Sequence, residues 1–249
     1  MAVDAQMVAL RDNEYLRQRL APRPGDPLYL CLSDLLMAIK DFVPSGPLRV
    51  LDYGSGGSPY RSLFGNCIYH RADLVGGYAV DFEYGSDARL PLELRDYDCV
   101  LSTQVLEHVE DPVIYLAECH RVLRSGGHLI LTTHGCFEDH AVPHDYWRWT
   151  AQGLRTMIED AGLKVKEVRK LTTGPRGVLS LSERELHRLR FGGAGVYASF
   201  LSLGIRAVQR FGARRLHEAS DISFPNHRVV VASEPGHDIY IGIAALAVR

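Results

Sequence analysis

The chain has 249 residues, of which 46% are hydrophobic and 23% charged, and a net charge of −2. That composition belongs to a globular chain with enough length for one sizeable core. Five scattered cysteines give no zinc or disulfide framework, no stretch is long and apolar enough for a bilayer span, and a reducing cytosol is the expected location.

Residues 1–20 read as a polar helix. They include Asp4, Arg11, Asp12 and Glu14 and lack the apolar core of a signal peptide. The Pro-rich stretch 21–27 breaks it. Residues 28–42 then read as an amphipathic helix with Leu28, Leu32, Leu35, Leu36 and Ile39 on one side, so 1–43 form an N-terminal helical arm or cap. Pro44, Gly46 and Pro47 end that helix. A buried strand over 48–53 runs into Gly54-Ser55-Gly56-Gly57-Ser58-Pro59. Open α/β sheets bind nucleotide-like ligands at such a place. The loop lacks both the third glycine of a pyrophosphate fingerprint and a P-loop lysine, so an adenosine carrying an amino acid fits it better than a dinucleotide. Asp73 ends the next apolar run, about 20 residues past the first glycine, where an acid can accept from ribose hydroxyls.

Further strands are expected over 98–102, 128–133 and 163–170. Between them, Asp111 and Pro112 start a helix through Leu123 that Gly126-Gly127 ends, and Thr150 caps a helix over 151–161. A last strand is expected over 238–248, with 229–232 as a second candidate. This is a doubly wound α/β order. Its core would be 44–171 with 236–249, interrupted by an arginine-rich helical insertion or lid over 172–235.

Several segments taken together resemble the class I S-adenosylmethionine-dependent methyltransferases. They are Leu51-Asp52-Tyr53-Gly54-Ser55-Gly56; Asp73; Asp87-Ala88-Arg89-Leu90-Pro91; Tyr97 to Val109, which includes Gln104-Val105-Leu106-Glu107-His108; and Arg121 to Leu131. The resemblance implies a seven-stranded, mostly parallel, Rossmann-like sheet and S-adenosylmethionine as cofactor. It implies that Gly54, Ser55 and Gly56 form the cofactor loop, supported by Asp52. Asp73 would hold the ribose, Asp87 would lie near adenine, and 102–108, with Gln104, would line the methionine end. The run from His144 to Thr150 resembles a subgroup associated with sugars, glycans and natural products.

Methyl transfer is an in-line displacement, so the protein must align an acceptor and remove its proton. A neutral amine is nucleophilic unaided, whereas an aliphatic hydroxyl gains from a general base or a metal. Residues 132–150 gather histidines, carboxylates and aromatics where the strand ends border the crevice. Within them His144 is the expected base, since an imidazole takes up protons near neutrality. Asp145 and Glu107 would orient it or help hold a cation, and Tyr146, Trp147 and Trp149 would stack on a sugar or the adenine. A magnesium-assisted variant is compatible with these carboxylates, although no dedicated metal spacing identifies ligands.

Charge is unevenly spread. Residues 73–118 carry eleven acids and two arginines, and 174–218 carry eight arginines and three glutamates. Residues 196–211 place Tyr197, Phe200, Leu201, Ile205 and Val208 at helical spacing, with Arg206, Arg210 and Arg214 stepping along another side. Such a segment suits a lid, a homodimer contact or, less favoured, a membrane surface. The expected activity is O-methylation of a saccharide, glycan or related small metabolite. The competing readings are a nucleic-acid methyltransferase, disfavoured because no Asn-Pro-Pro-aromatic motif occurs, and a non-catalytic or membrane-associated module that kept the fold.

Overall fold

The computed structural model describes residues 13–141, 143–188, 212–233 and 239–249. The helix expected over 196–211 lies outside these. The helical elements are α1 (residues 13–20), α2 (Tyr29–Phe42), α3 (Pro112–Val122), α4 (Ala151–Asp160), α5 (Gly174–Arg188) and α6 (residues 212–223). The strands are β1 (Leu48–Tyr53), β2 (Cys67–Leu74), β3 (Phe82–Tyr84), β4 (Tyr97–Thr103), β5 (Leu123–His134), β6 (Lys164–Thr173), β7 (Val229–Val231) and β8 (Tyr240–Val248).

One sheet holds all eight strands in the order β3-β2-β1-β4-β5-β8-β6-β7. β1 to β5 pair in parallel, and β8 runs antiparallel between β5 and β6. Both C-terminal candidates are strands. Residues 240–248 supply the reversed one, while Val229–Val231 add an eighth strand on the edge, opposite Arg169, Lys170 and Leu171. A second difference concerns Gly126 and Gly127. They lie inside β5, because Leu123 already pairs with Tyr97 and both glycines exchange backbone hydrogen bonds with Arg249.

Alternating strand residues feed two apolar layers, as the period of two demands. Leu51, Tyr53, Val100, Leu129 and Leu131 pack with Leu116, Cys119, Leu154 and Ile158 of α3 and α4. Val50, Leu101 and Ile130 pack with Leu32, Leu35 and Ile39 of α2 on the other face. The expected caps are formed: Asp111 accepts from the amides of Val113 and Ile114, and Thr150 accepts from that of Gly153.

A buried charge network fastens the accessory helices to this sheet. Asp34 of α2 and Arg176 of α5 are both fully buried. The guanidinium meets the carboxylate through Nε at 2.7 Å and Nη2 at 3.0 Å. Arg228 donates to Asp34 at 2.9 Å, as does the Thr172 hydroxyl of β6. Arg176 also reaches Asp221 of α6 at 2.7 Å, and Asp221 accepts from Tyr29 at 2.5 Å. The arginine-rich stretch is therefore partly an internal feature. Arg176 is buried, Arg184 pairs with Glu138, and Arg214 pairs with Glu218.

Removing one member of a buried pair leaves an uncompensated charge. Asp34→Ala is expected to lower the unfolding free energy by about 3–5 kcal/mol, read from urea denaturation. An effect below about 1 kcal/mol, the scale of an exposed pair, would show that the network adds nothing to stability.

Candidate active site

The carboxyl end of β1 turns at Gly54, whose φ is +76°. A β-carbon there would lie 2.5–2.6 Å from the methyl groups of Val105, so only glycine admits this approach of the β1 and β4 ends. Opposite it, Gln104 is also held at positive φ, +56°. Its amide donates to the Thr132 carbonyl at 2.9 Å and its side-chain amide to the Thr132 hydroxyl at 3.2 Å. Backbone strain of this kind persists only where the surroundings impose it.

Asp73, at the end of β2, accepts from the Gly56 amide at 2.6 Å and from the Leu74 amide at 2.8 Å. A carboxylate has lone pairs beyond those two bonds. The Ser55 hydroxyl is buried in the loop without a partner. Tyr15 of α1 and Tyr78 lie against Gly56 and Gly57. Beneath the loop, Asp52 accepts from the Tyr69 hydroxyl at 2.7 Å. Burial pushes the Asp52 carboxyl up to about 7, against the lowering effect of that bond. Asp87 is exposed and accepts from the Arg89 amide at 3.2 Å, closing a local turn.

The acceptor side is built on η2 (Leu106–His108) and on the loop after β5. The Glu107 carbonyl accepts from the amides of Tyr146 and Trp147 at 2.8 and 3.3 Å, which docks that loop on η2. Arg148 then shapes it. All of its guanidinium nitrogens are engaged: Nε with the Phe137 carbonyl, Nη1 with Asp145 and the Trp147 carbonyl, Nη2 with Asp145 and the Glu138 carbonyl. The fork on Asp145 holds that carboxyl well below the ordinary range.

The structure brings Glu107 together with His134 and His140. His134 Nε2 is 3.2 Å from Glu107 Oε1, and the Thr133 hydroxyl donates to Glu107 Oε2 at 2.9 Å. Burial pushes the Glu107 carboxyl up to about 7 and His134 down to about 2, so both favour their uncharged forms. Asp145 accepts from the His140 amide at 2.8 Å, and its carboxylate is not spent on His144. The His144 ring is on the exposed rim, against Tyr146 at 5.7 Å, while its carbonyl accepts from His108 Nδ1 at 2.5 Å. Trp149 is buried in the core, and Trp147, partly exposed, donates to the Val109 carbonyl and stacks on Trp149. His134 and His140 lay within the histidine-rich run, but nothing in their spacing distinguished them from His144.

Strand order, glycine loop and ribose-side acid coincide in one crevice, and the comparisons agree. Residues 51–131 match the family described as a methyltransferase domain. The chain has the class I methyltransferase fold. A phosphoethanolamine N-methyltransferase of Haemonchus contortus, solved with S-adenosyl-L-methionine, shares this methyltransferase fold over 97% of the chain and 57% of its own, with a TM-score of 0.54 and 16% identity. An S-adenosylmethionine-dependent methyltransferase of Thermotoga maritima gives 0.54 over 95% and 94%, also at 16% identity. In sequence, a ubiquinone biosynthesis O-methyltransferase of Parvibaculum lavamentivorans is 28% identical over 166 residues, 53% of this chain. The chain spans 65% of that relative's length.

The cofactor that the methyltransferase fold and domain imply is S-adenosylmethionine. The residues fit it: a turn only glycine can make, a buried Ser55 hydroxyl without a hydrogen bond, and the Asp73 carboxylate bonded to the Gly56 amide. No described helix is long and apolar enough to cross a membrane.

The sign of the Asp52 shift gives a pH test. Its folded pKa lies above the unfolded value of about 3.9. Its stabilising contribution is thus complete below about pH 4 and lost as pH rises to 7. Asp52→Asn has no such loss. Relative to the native chain it should gain on the order of 4 kcal/mol between those pH values, measured by urea unfolding. Parallel pH curves for the two would show that Asp52 is ionised in the fold.

Proposed function

We propose that this chain transfers a methyl group from S-adenosylmethionine to a hydroxyl of a saccharide or related small metabolite. When bound, the cofactor supplies a methyl group activated by a sulfonium. Gly54, Ser55 and Gly56 would hold it, with Asp73 on the ribose, Asp87 toward the adenine and Gln104 toward the methionine end.

The observation that carries an oxygen acceptor is the histidine and carboxylate cluster at the carboxyl ends of β4 and β5. An amine acceptor needs no such proton-handling groups, whereas a hydroxyl does. The name of the Parvibaculum relative, an O-methyltransferase, points the same way. His144, on the rim of the loop that also carries His140, has an exposed ring, so it can meet an acceptor entering from solvent. We assign it as the base. Glu107 acts through the frame: its carbonyl accepts from the amides of Tyr146 and Trp147, two and three residues beyond His144. Asp145, fixed by Arg148, keeps the same loop in shape. The saccharide reading draws on the exposed aromatic Tyr146 beside His144, which offers a face to a sugar ring.

Three measurements test this. Methyl-labelled S-adenosylmethionine incubated with fractionated extract should label carbohydrate or hydroxylated metabolites; label in nucleic acid would reject the acceptor class. Given an acceptor, His144→Ala should lower kcat by about 100-fold or more with cofactor affinity unchanged, and surviving turnover would remove His144 from the role. Asp73→Ala should weaken cofactor binding by calorimetry, and an unchanged Kd would refute the ribose assignment.

A further inference from the structure

Glu107, His134 and His140 come from three places: η2, the last residue of β5, and the loop beyond it. One ligand atom from each lies within 4.8 Å of the others. Two of the three side chains carry an unsatisfied buried atom, Glu107 Oε1 and His140 Nδ1, and Glu107 is fully buried. Neither atom makes a hydrogen bond, although His134 Nε2 lies 3.2 Å from the Glu107 oxygen and Asp145 Oδ2 3.5 Å from the His140 nitrogen, and a buried polar atom without a hydrogen bond is costly. The groups around them are arranged as an outer shell. Thr133 fixes the second oxygen of Glu107, and Asp145, clamped by Arg148, holds the His140 backbone. The imidazole of His108 packs against His140, and the ring of Phe137 against His134 and His140.

We propose that Glu107, His134 and His140 form a binding site for one divalent first-row transition ion. Two imidazoles and one carboxylate are the donor set of such ions. Magnesium prefers an all-oxygen octahedron and would find one oxygen ligand here. Donors at about 2.1 Å from an ion are at most about 4.2 Å apart. The set therefore closes by roughly half an ångström around the ion, within the reach of the His140 loop. Three protein ligands leave coordination positions open to solvent or to an acceptor oxygen. The site stands on this geometry and not on the identity of the acceptor.

The test uses the full chain, dialysed against EDTA and titrated with Co2+ by visible absorption and with Zn2+ by calorimetry. One ion per chain is expected, with ligand-field bands for Co2+. Glu107→Gln and His140→Ala should each weaken binding by at least about 100-fold, and Thr133→Val by about 10- to 100-fold, as for loss of an outer-shell partner. His120→Ala, on α3, should leave binding unchanged. If the buried Glu107 variant fails to fold, His140→Ala on the loop still decides the matter. Absence of saturable binding would overturn the proposal. So would affinity indifferent to Glu107→Gln and His140→Ala, or Mg2+ bound as tightly as Co2+ and Zn2+. Because the readout is binding, it is separate from methyl transfer: a chain that binds the ion but labels no hydroxyl refutes the acceptor reading alone.

Discussion

The contact between Gly54 and Val105 is the constraint on which the crevice depends. It lets the end of β1 pack directly against the Val105 side chain just beyond β4. The β1 end then presents the glycine loop, tied to Asp73 at the end of β2, and the β4 end leads into Gln104 and Glu107. Strain at Gln104 follows from the same geometry, since the chain must turn sharply to clear the loop. The floor of the cofactor site and the floor of the acceptor site are thus one backbone junction.

A second organising element lies on the opposite face. Asp34, Arg176, Asp221 and Arg228 form a charge network that the sheet and α2 shield from solvent. Buried charges need full pairing, and here each acid meets at least one guanidinium at hydrogen-bond distance. The network ties α5 and α6 to α2 and β6 through Arg176, Asp221, Asp34 and Thr172. His217 adds to it: it accepts from the Gly25 amide, lies at hydrogen-bond distance from Glu183, and stacks on Tyr29.

Local signals in the sequence carried the core well. Asp111 and Thr150 are short polar side chains just before helices, and both cap as their chemistry requires. The apolar runs become strands because nothing else can bury them on both faces. Position-specific chemistry was harder to read. Arg176 looks like one more arginine of a basic stretch, because its partner Asp34 is 142 residues away. Among the histidines of 134–144, only the folded loop decides which ring meets Glu107. That loop is wrapped on Arg148, whose bonds go mainly to backbone carbonyls, and carbonyls leave no trace in a residue pattern. β7 is three residues long, too short for periodicity to separate it from a turn.

The loop wrapped around Arg148 has an evolutionary consequence. A guanidinium that saturates its own loop's carbonyls is an internal template, indifferent to the outward side chains it organises. Exposed loop positions such as Asp139 and Ala141 can therefore be exchanged while the hydrogen bonds that shape the segment stay in place.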